Sequence, residues 1–217
     1  MENISFVGRK STDKQRRART DKTTQWVAMS IPLFLSQGIR HLSMDDVALH
    51  LGISKATLYT YFASREALLQ AAVEVKLTQI GAFQRLLASA DTPFVDRFYS
   101  ALNYTVQELS SISTDFLADL QALYPQLWHQ VIRFIDFAIT ALDHFYAQGV
   151  AEGVFKPYNT TILALTDRVI LTSFSDPDLL RKYNLTYHEA VNEYFRIKFF
   201  GLFVGQTEKI SPYGDIK

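Results

Sequence analysis

Gly52 stands between two short segments that each open on a serine, and this punctuation limits the fold more than any other feature of the chain. In the first segment Ser43 can accept a backbone N–H as an N-cap, and Asp45 and Asp46 place negative charge in the first turn, where the helix dipole favours it. Ser43-Met44-Asp45-Asp46 is thus close to a capping box. Met44, Val47, Ala48 and Leu51 recur at intervals of three and four, a narrow apolar stripe suited to a partner helix. Gly52 can take the left-handed conformation that ends this helix, Ile53 can plug the corner, and Ser54 can cap a second helix from Lys55 to Phe62.

That second helix carries the chemical information. At about 100° per residue Leu58 and Phe62 point inward, whereas Ala56, Thr57, Thr60 and Tyr61 share the outward side. The outward face offers hydroxyls and no carboxylate, with Lys55 at its amino end and Arg65 just beyond. A small, acid-free helix flanked by cations suits the DNA major groove. Any helical hairpin in an all-α protein could show the same caps and stripes, so periodicity leaves a packing hairpin open beside a DNA-reading one.

The run Gly52-Ile53-Ser54-Lys55-Ala56-Thr57-Leu58-Tyr59-Thr60-Tyr61-Phe62-Ala63-Ser64-Arg65-Glu66-Ala67-Leu68 resembles the signature of the TetR family of bacterial transcriptional regulators. The similarity extends back through Ser43-Met44-Asp45-Asp46-Val47-Ala48, Gly38 and Phe34, and covers residues 22 to 72. The resemblance implies a homodimeric, ligand-responsive regulator, usually a repressor, whose two recognition helices enter major grooves about 34 Å apart on a near-palindromic operator. Carried over position by position, Ala56, Thr57 and Thr60 would face bases, while Ser43, Lys55, Tyr59, Tyr61 and Arg65 would hold phosphates and fix register. The family usually has an alanine-rich segment where this chain has Pro32, which puts the local geometry in question.

Charge agrees with a polyanion-facing front. The chain has 22 basic and 22 acidic residues among 217, a balance unlike that of a protein that coats nucleic acid indiscriminately. Through Arg65, however, ten Lys/Arg stand against five acids, and the remainder carries the opposite excess. Residues 1–21, including Gly8-Arg9-Lys10 and Arg16-Arg17-Ala18-Arg19, have almost no apolar content and read as a flexible basic arm.

The composition also excludes several classes. With no cysteine there is no disulfide, thiolate metal site or thiol switch. His41, His50, His129, His144 and His188 lack ligand spacing, so no metal or other cofactor is expected. The amino terminus has no apolar signal core and no run approaches about 18 uninterrupted apolar residues, so a cytoplasmic protein without membrane partners is expected. Tyr194 and Lys198 match a dehydrogenase-like tyrosine-x-x-x-lysine pair, but no Gly-x-Gly turn accompanies them. Ser11 to Lys14 match a serine-x-x-lysine nucleophile inside the arm, where no base would be held. The chain is not expected to be an enzyme.

The rest reads as helix nearly throughout, so the fold class is all-α: an amino-terminal three-helix helix-turn-helix domain plus a larger helical ligand-binding and dimerisation domain. The first amphipathic helix spans Asp21 or Thr23 to Gln37, with a kink or late start expected at Pro32. Ser64 caps a fourth helix that runs to Ala88, and further helices are expected at 93–110, 114–123, 125–148, 160–174 and 187–205, with loops around Gly149 to Pro157 and Asp176 to Asn184. The implied division is arm 1–21, helix-turn-helix domain 22–68, effector-binding and dimerisation domain 69–210, and tail 211–217.

Two stretches carry more apolar surface than one core face requires. Ile162 to Phe174 is apolar except at Thr166, Asp167 and Arg168, and Phe199 to Val204 is apolar all round. By resemblance these helices, near 160–174 and 187–205, would form a four-helix homodimer interface. Aromatic residues gather on Gln126 to Tyr146 and on the helices facing it, so Tyr104, Phe116, Trp128, Arg133, Asp136 and Phe137 are candidates to line a site for a small, mainly apolar effector. The reading from another class is a helical protein-interaction module that touches no DNA.

Overall fold

The computed structural model describes the backbone of residues 12–202 and the side chains of residues 21–199. Among them eleven helices follow one another: α1 (Thr12–Gln37), α2 (Met44–His50), α3 (Lys55–Tyr61), α4 (Arg65–Gly81), α5 (Phe83–Leu87), α6 (Phe94–Leu109), α7 (Thr114–Leu123), α8 (Pro125–Ala151), α9 (Thr160–Phe174), α10 (Pro177–Tyr183) and α11 (Tyr187–Leu202). The architecture is all-α, as the periodicity predicts.

The starts are set by local chemistry. Ser43, Ser54, Ser64, Ser113 and Asn159 each accept a backbone N–H at the head of α2, α3, α4, α7 and α9. Gly38, at φ 77°, and Gly52, at φ 67°, make the left-handed turns that end α1 and separate α2 from α3.

Four expectations need correction. The first helix does not start late at Pro32, because α1 runs unbroken from Thr12. Pro32 lies on the exposed side, as does Ala28, whose carbonyl loses its donor to the proline and can turn to water. The helix also takes in residues 12–21 of the expected arm, while 1–11 and the tail lie outside the described residues. The fourth helix stops at Gly81, short of Ala88, where a β-carbon would stand 3.3 Å from the Phe134 ring, and α5 follows after one residue. The expected loop after Asp176 is instead α10: Asp176 caps it, Pro177 takes its first turn and Asn184 closes it in the left-handed region.

One apolar core runs from Val27 in α1 to Phe199 in α11. α1 and α4 belong to both halves of the molecule, since α1 packs on α2, α4 and α7, and α4 on α6 and α8. α9 lies along α8, and α11 closes on α6 and α9.

Between α8, α9 and α11 the core holds a polar knot. Asp167 is fully buried; its carboxylate accepts from Tyr146 and Tyr194, each at 2.6 Å, and pairs with Lys198, which also donates to the Tyr146 hydroxyl at 3.0 Å. The partners satisfy a charge that would otherwise be costly to bury. The Tyr194/Lys198 pair is therefore spent on holding α11 against α9.

Candidate nucleic-acid interface

Ser43 builds the capping box predicted for α2: its hydroxyl accepts from Asp46 N at 3.2 Å, and the Asp46 carboxylate accepts from Ser43 N at 2.8 Å. The Ser43 hydroxyl also donates to that carboxylate at 2.6 Å, and this bond together with the one from Ser43 N holds the Asp46 carboxyl below its ordinary pKa. With α2 fixed, Leu58, buried completely, and Phe62 seat α3 on the core. The opposite side of α3 carries Ala56, Tyr59 and Thr60 into solvent, with Thr57 half-buried at its edge.

The polar atoms of this face are partly engaged. Thr57 Oγ1 lies 2.8 Å from Ser54 Oγ at the cap, and Thr60 Oγ1 donates to the Ala56 carbonyl at 2.9 Å. Lys55 Nζ pairs with Asp45 at 2.6 Å, and that bond raises its pKa. Both partners are more than half exposed, so a phosphate oxygen can replace the Asp45 carboxylate at little cost.

Two residues expected at phosphates make contacts within the protein. Tyr61 packs edge-on to Trp26, centroids 4.5 Å apart, and is half-buried at the rim of the core. Arg65 donates inward, to the carbonyls of Ile39 at 3.2 Å and Leu42 at 2.8 Å and to the Tyr124 hydroxyl at 3.0 Å. The same turn is gripped from α7, where Asp119 accepts from Ile39 N at 2.8 Å and Arg40 N at 2.6 Å. The sequence assigns no role to Asp119, and it places Tyr124 only among the aromatic residues facing Gln126 to Tyr146. The contacts span 79 or more residues for Asp119 and 59 for Tyr124, beyond the reach of any local pattern.

Below this junction lies a cavity of about 130 Å³, walled by α1, α4 to α9 and α11. Of the expected effector contacts only Phe116 lines it. Tyr104 donates to the Gln79 carbonyl at 2.7 Å outside the cavity, and Trp128 packs half-buried on another part of the core. Arg133 is exposed, Asp136 pairs with Arg168 of α9 at 2.7 Å, and Phe137 is 48% exposed while its neighbour Phe134 faces the cavity. The wheel put these residues on the aromatic helix α8, but the cavity side of α8 is the one carrying Val131, Phe134, Ile135, Ala138 and Leu142.

Residues 30–72 match the family model described as bacterial regulatory proteins, tetR family, the span that holds the end of α1, the helix-turn-helix and the start of α4. Among solved structures the chain is similar to the TetR-family regulator PfmR from Thermus thermophilus, at 24% identity over 82% of this chain and 98% of that one, with a TM-score of 0.56. A TetR-family regulator from Marinobacter aquaeolei superposes at a TM-score of 0.67 with 18% identity, over 86% of this chain and 94% of that one. One from Chloroflexus aurantiacus reaches 0.64 with 18% identity, over 87% of this chain and the whole of the other. No curated protein matches the sequence. At these identities the solved structures speak for the fold alone, and the family rests on the match to residues 30–72. Residues 30–72 thus carry a helix-turn-helix of the TetR family's kind, on a fold shared with solved TetR-family regulators. Among the described residues no helix is long and apolar enough to cross a membrane.

Proposed function

We propose that the protein is a DNA-binding transcriptional regulator of the TetR family that binds a near-palindromic operator as a homodimer, acts as a repressor, and is released by a small, mainly apolar effector. The observation that carries the proposal is the outward side of α3, where Ala56, Tyr59 and Thr60 stand exposed without a carboxylate on a helix capped and seated by its own sequence. Ala56 and Thr60 face bases, with Thr57 at their edge, and small apolar contacts of this kind suit the thymine methyl. Lys55, Ser43 and Tyr59 hold phosphates, whereas Arg65 and Tyr61 act through the shape of the domain.

The second protomer is supported by α9, which exposes Ile162, Leu165 and Val169 at helical spacing, each at least half accessible, and by Ile197 at 65% on α11. Apolar residues so placed on neighbouring helices make a burial face for a second copy. The cavity supports the effector, and its position below α1, α4 and α7 lets an occupied state shift the elements that hold the turn before α2. Such a ligand must bind the released state more tightly than the DNA-bound one.

A gel shift on the DNA upstream of the protein's own gene tests the reading. Wild type should retard that fragment, Lys55→Ala should weaken operator and random DNA alike, and Thr60→Ala should change sequence preference. Wild type that retards no DNA would leave a helical protein-interaction module in its place, and equal retention of every DNA by all three proteins would remove α3 from the reading face.

A further inference from the structure

The geometry points to a narrow ligand class for the cavity: a neutral hydrocarbon of about the size of a single substituted ring, with no hydroxyl or carboxyl group. The inference rests on the effector reading above and specifies its ligand. It follows from size and from the state of each polar side chain in the wall.

A cavity of about 130 Å³ is close to the engineered apolar cavities of about 150 Å³ that stay dry and admit benzene. Four lining residues carry a side-chain polar group, and each is already engaged. Lys76 runs its stem along the wall but turns its ammonium to Glu108 at 2.7 Å. Thr105 Oγ1 donates to the Ala101 carbonyl at 2.8 Å and Ser175 Oγ to the Leu171 carbonyl at 2.9 Å. Tyr187, whose pKa burial pushes up, lies beside the Ser175 hydroxyl, which acts in the opposite direction. The remaining lining is aliphatic and aromatic, with Phe34, Phe98, Phe116 and Phe134 from four different helices. A ligand hydroxyl would leave water for a wall whose few polar groups already hold partners, and a carboxylate would meet only the ammonium of Lys76, already paired with Glu108. Removing Lys76 from Glu108 to serve it would strand Glu108 instead. Selectivity for hydrocarbon over its oxygenated analogue is thus built into the wall.

The full-length protein is titrated with toluene, benzyl alcohol and benzoate, three ligands with one ring, and binding is read as a rise in melting temperature and by equilibrium dialysis. Toluene should bind at least about tenfold more tightly than either oxygenated analogue. Ala72→Leu or Ala101→Leu, which fill the cavity from α4 or α6, should abolish the toluene shift while leaving the gel shift on DNA intact. Benzoate or benzyl alcohol binding as well as toluene overturns the inference, as does wild type that does not bind toluene. The comparison on wild type decides even if a filled variant fails to fold. Toluene that binds without releasing DNA upholds the ligand class and overturns the effector role.

Discussion

Arg65 Nη2 donates to the Tyr124 hydroxyl at 3.0 Å, joining the first residue of α4 to the residue between α7 and α8. The other arm of the guanidinium holds the Leu42 carbonyl at 2.8 Å, one residue before the Ser43 cap. Arg65 thus connects the helix-turn-helix to the wall of the cavity, in which Leu117 and Leu120 stand beside Asp119. Arg65→Ala should destabilise the protein by about 1.5–3 kcal/mol, the range for hydrogen bonds from a charged group, lowering the melting temperature by roughly 3–12 °C. Operator affinity should fall with the domain's shape, yet the slope of log affinity against log salt should stay unchanged. A slope shallower by about 1.8, or about 0.9 for each protomer, would instead mean that Arg65 neutralises a phosphate.

Gly149 reverses a usual expectation. In a helix interior, alanine in place of glycine normally stabilises by about 1 kcal/mol. At Gly149 in α8 an added β-carbon would stand 2.2 Å from the ring of Phe155, itself only 2% exposed. Overpacking should win, so Gly149→Ala should lose on the order of 1–2 kcal/mol in urea unfolding, and a gain in stability would contradict this packing.

The polar knot predicts alkaline sensitivity. Burial first, and then the Asp167 charge, raise the pKa of both Tyr146 and Tyr194 above the ordinary value of 10.0. A group raised in the folded state binds its proton longer than the unfolded chain does. Its contribution is complete below pH 10 and is lost as pH rises through the folded values. Lys198 runs the other way, because burial lowers its pKa, but one ammonium opposes two phenols. Folding free energy measured by urea titration should therefore fall as pH rises above 10, and Tyr194→Phe should make the fall shallower. Stability that rises over that range would contradict the protonation states of the knot.

Local chemistry made most of this fold legible. The caps at Ser43, Ser54 and Ser64, the turn at Gly52 and the inward pair Leu58/Phe62 are short-range signals, and they place α2, α3 and the head of α4 as predicted. α10 carried an equally local signal in Asp176, Pro177 and Asn184, which reads as a loop only when the cap and the left-handed closing residue are taken as a turn. Side-chain roles were less legible wherever tertiary partners decide them. Arg65 lies next to the recognition helix in sequence but is held by Tyr124. On α8, a turn of about 60° around the helix axis separates Phe134 in the cavity from Phe137 at the surface, and a wheel without its neighbouring helices does not choose between them.

The central claim is that α3 from two protomers reads adjacent major grooves. Hydroxyl-radical footprinting on the DNA upstream of the protein's own gene tests it most directly. The account predicts two protected half-sites related by a two-fold axis, with centres about 34 Å or a multiple of that apart, and loss of both with a charge placed on the reading face by Ala56→Glu. No protected site, or the same protection with Ala56→Glu as with wild type, would contradict it.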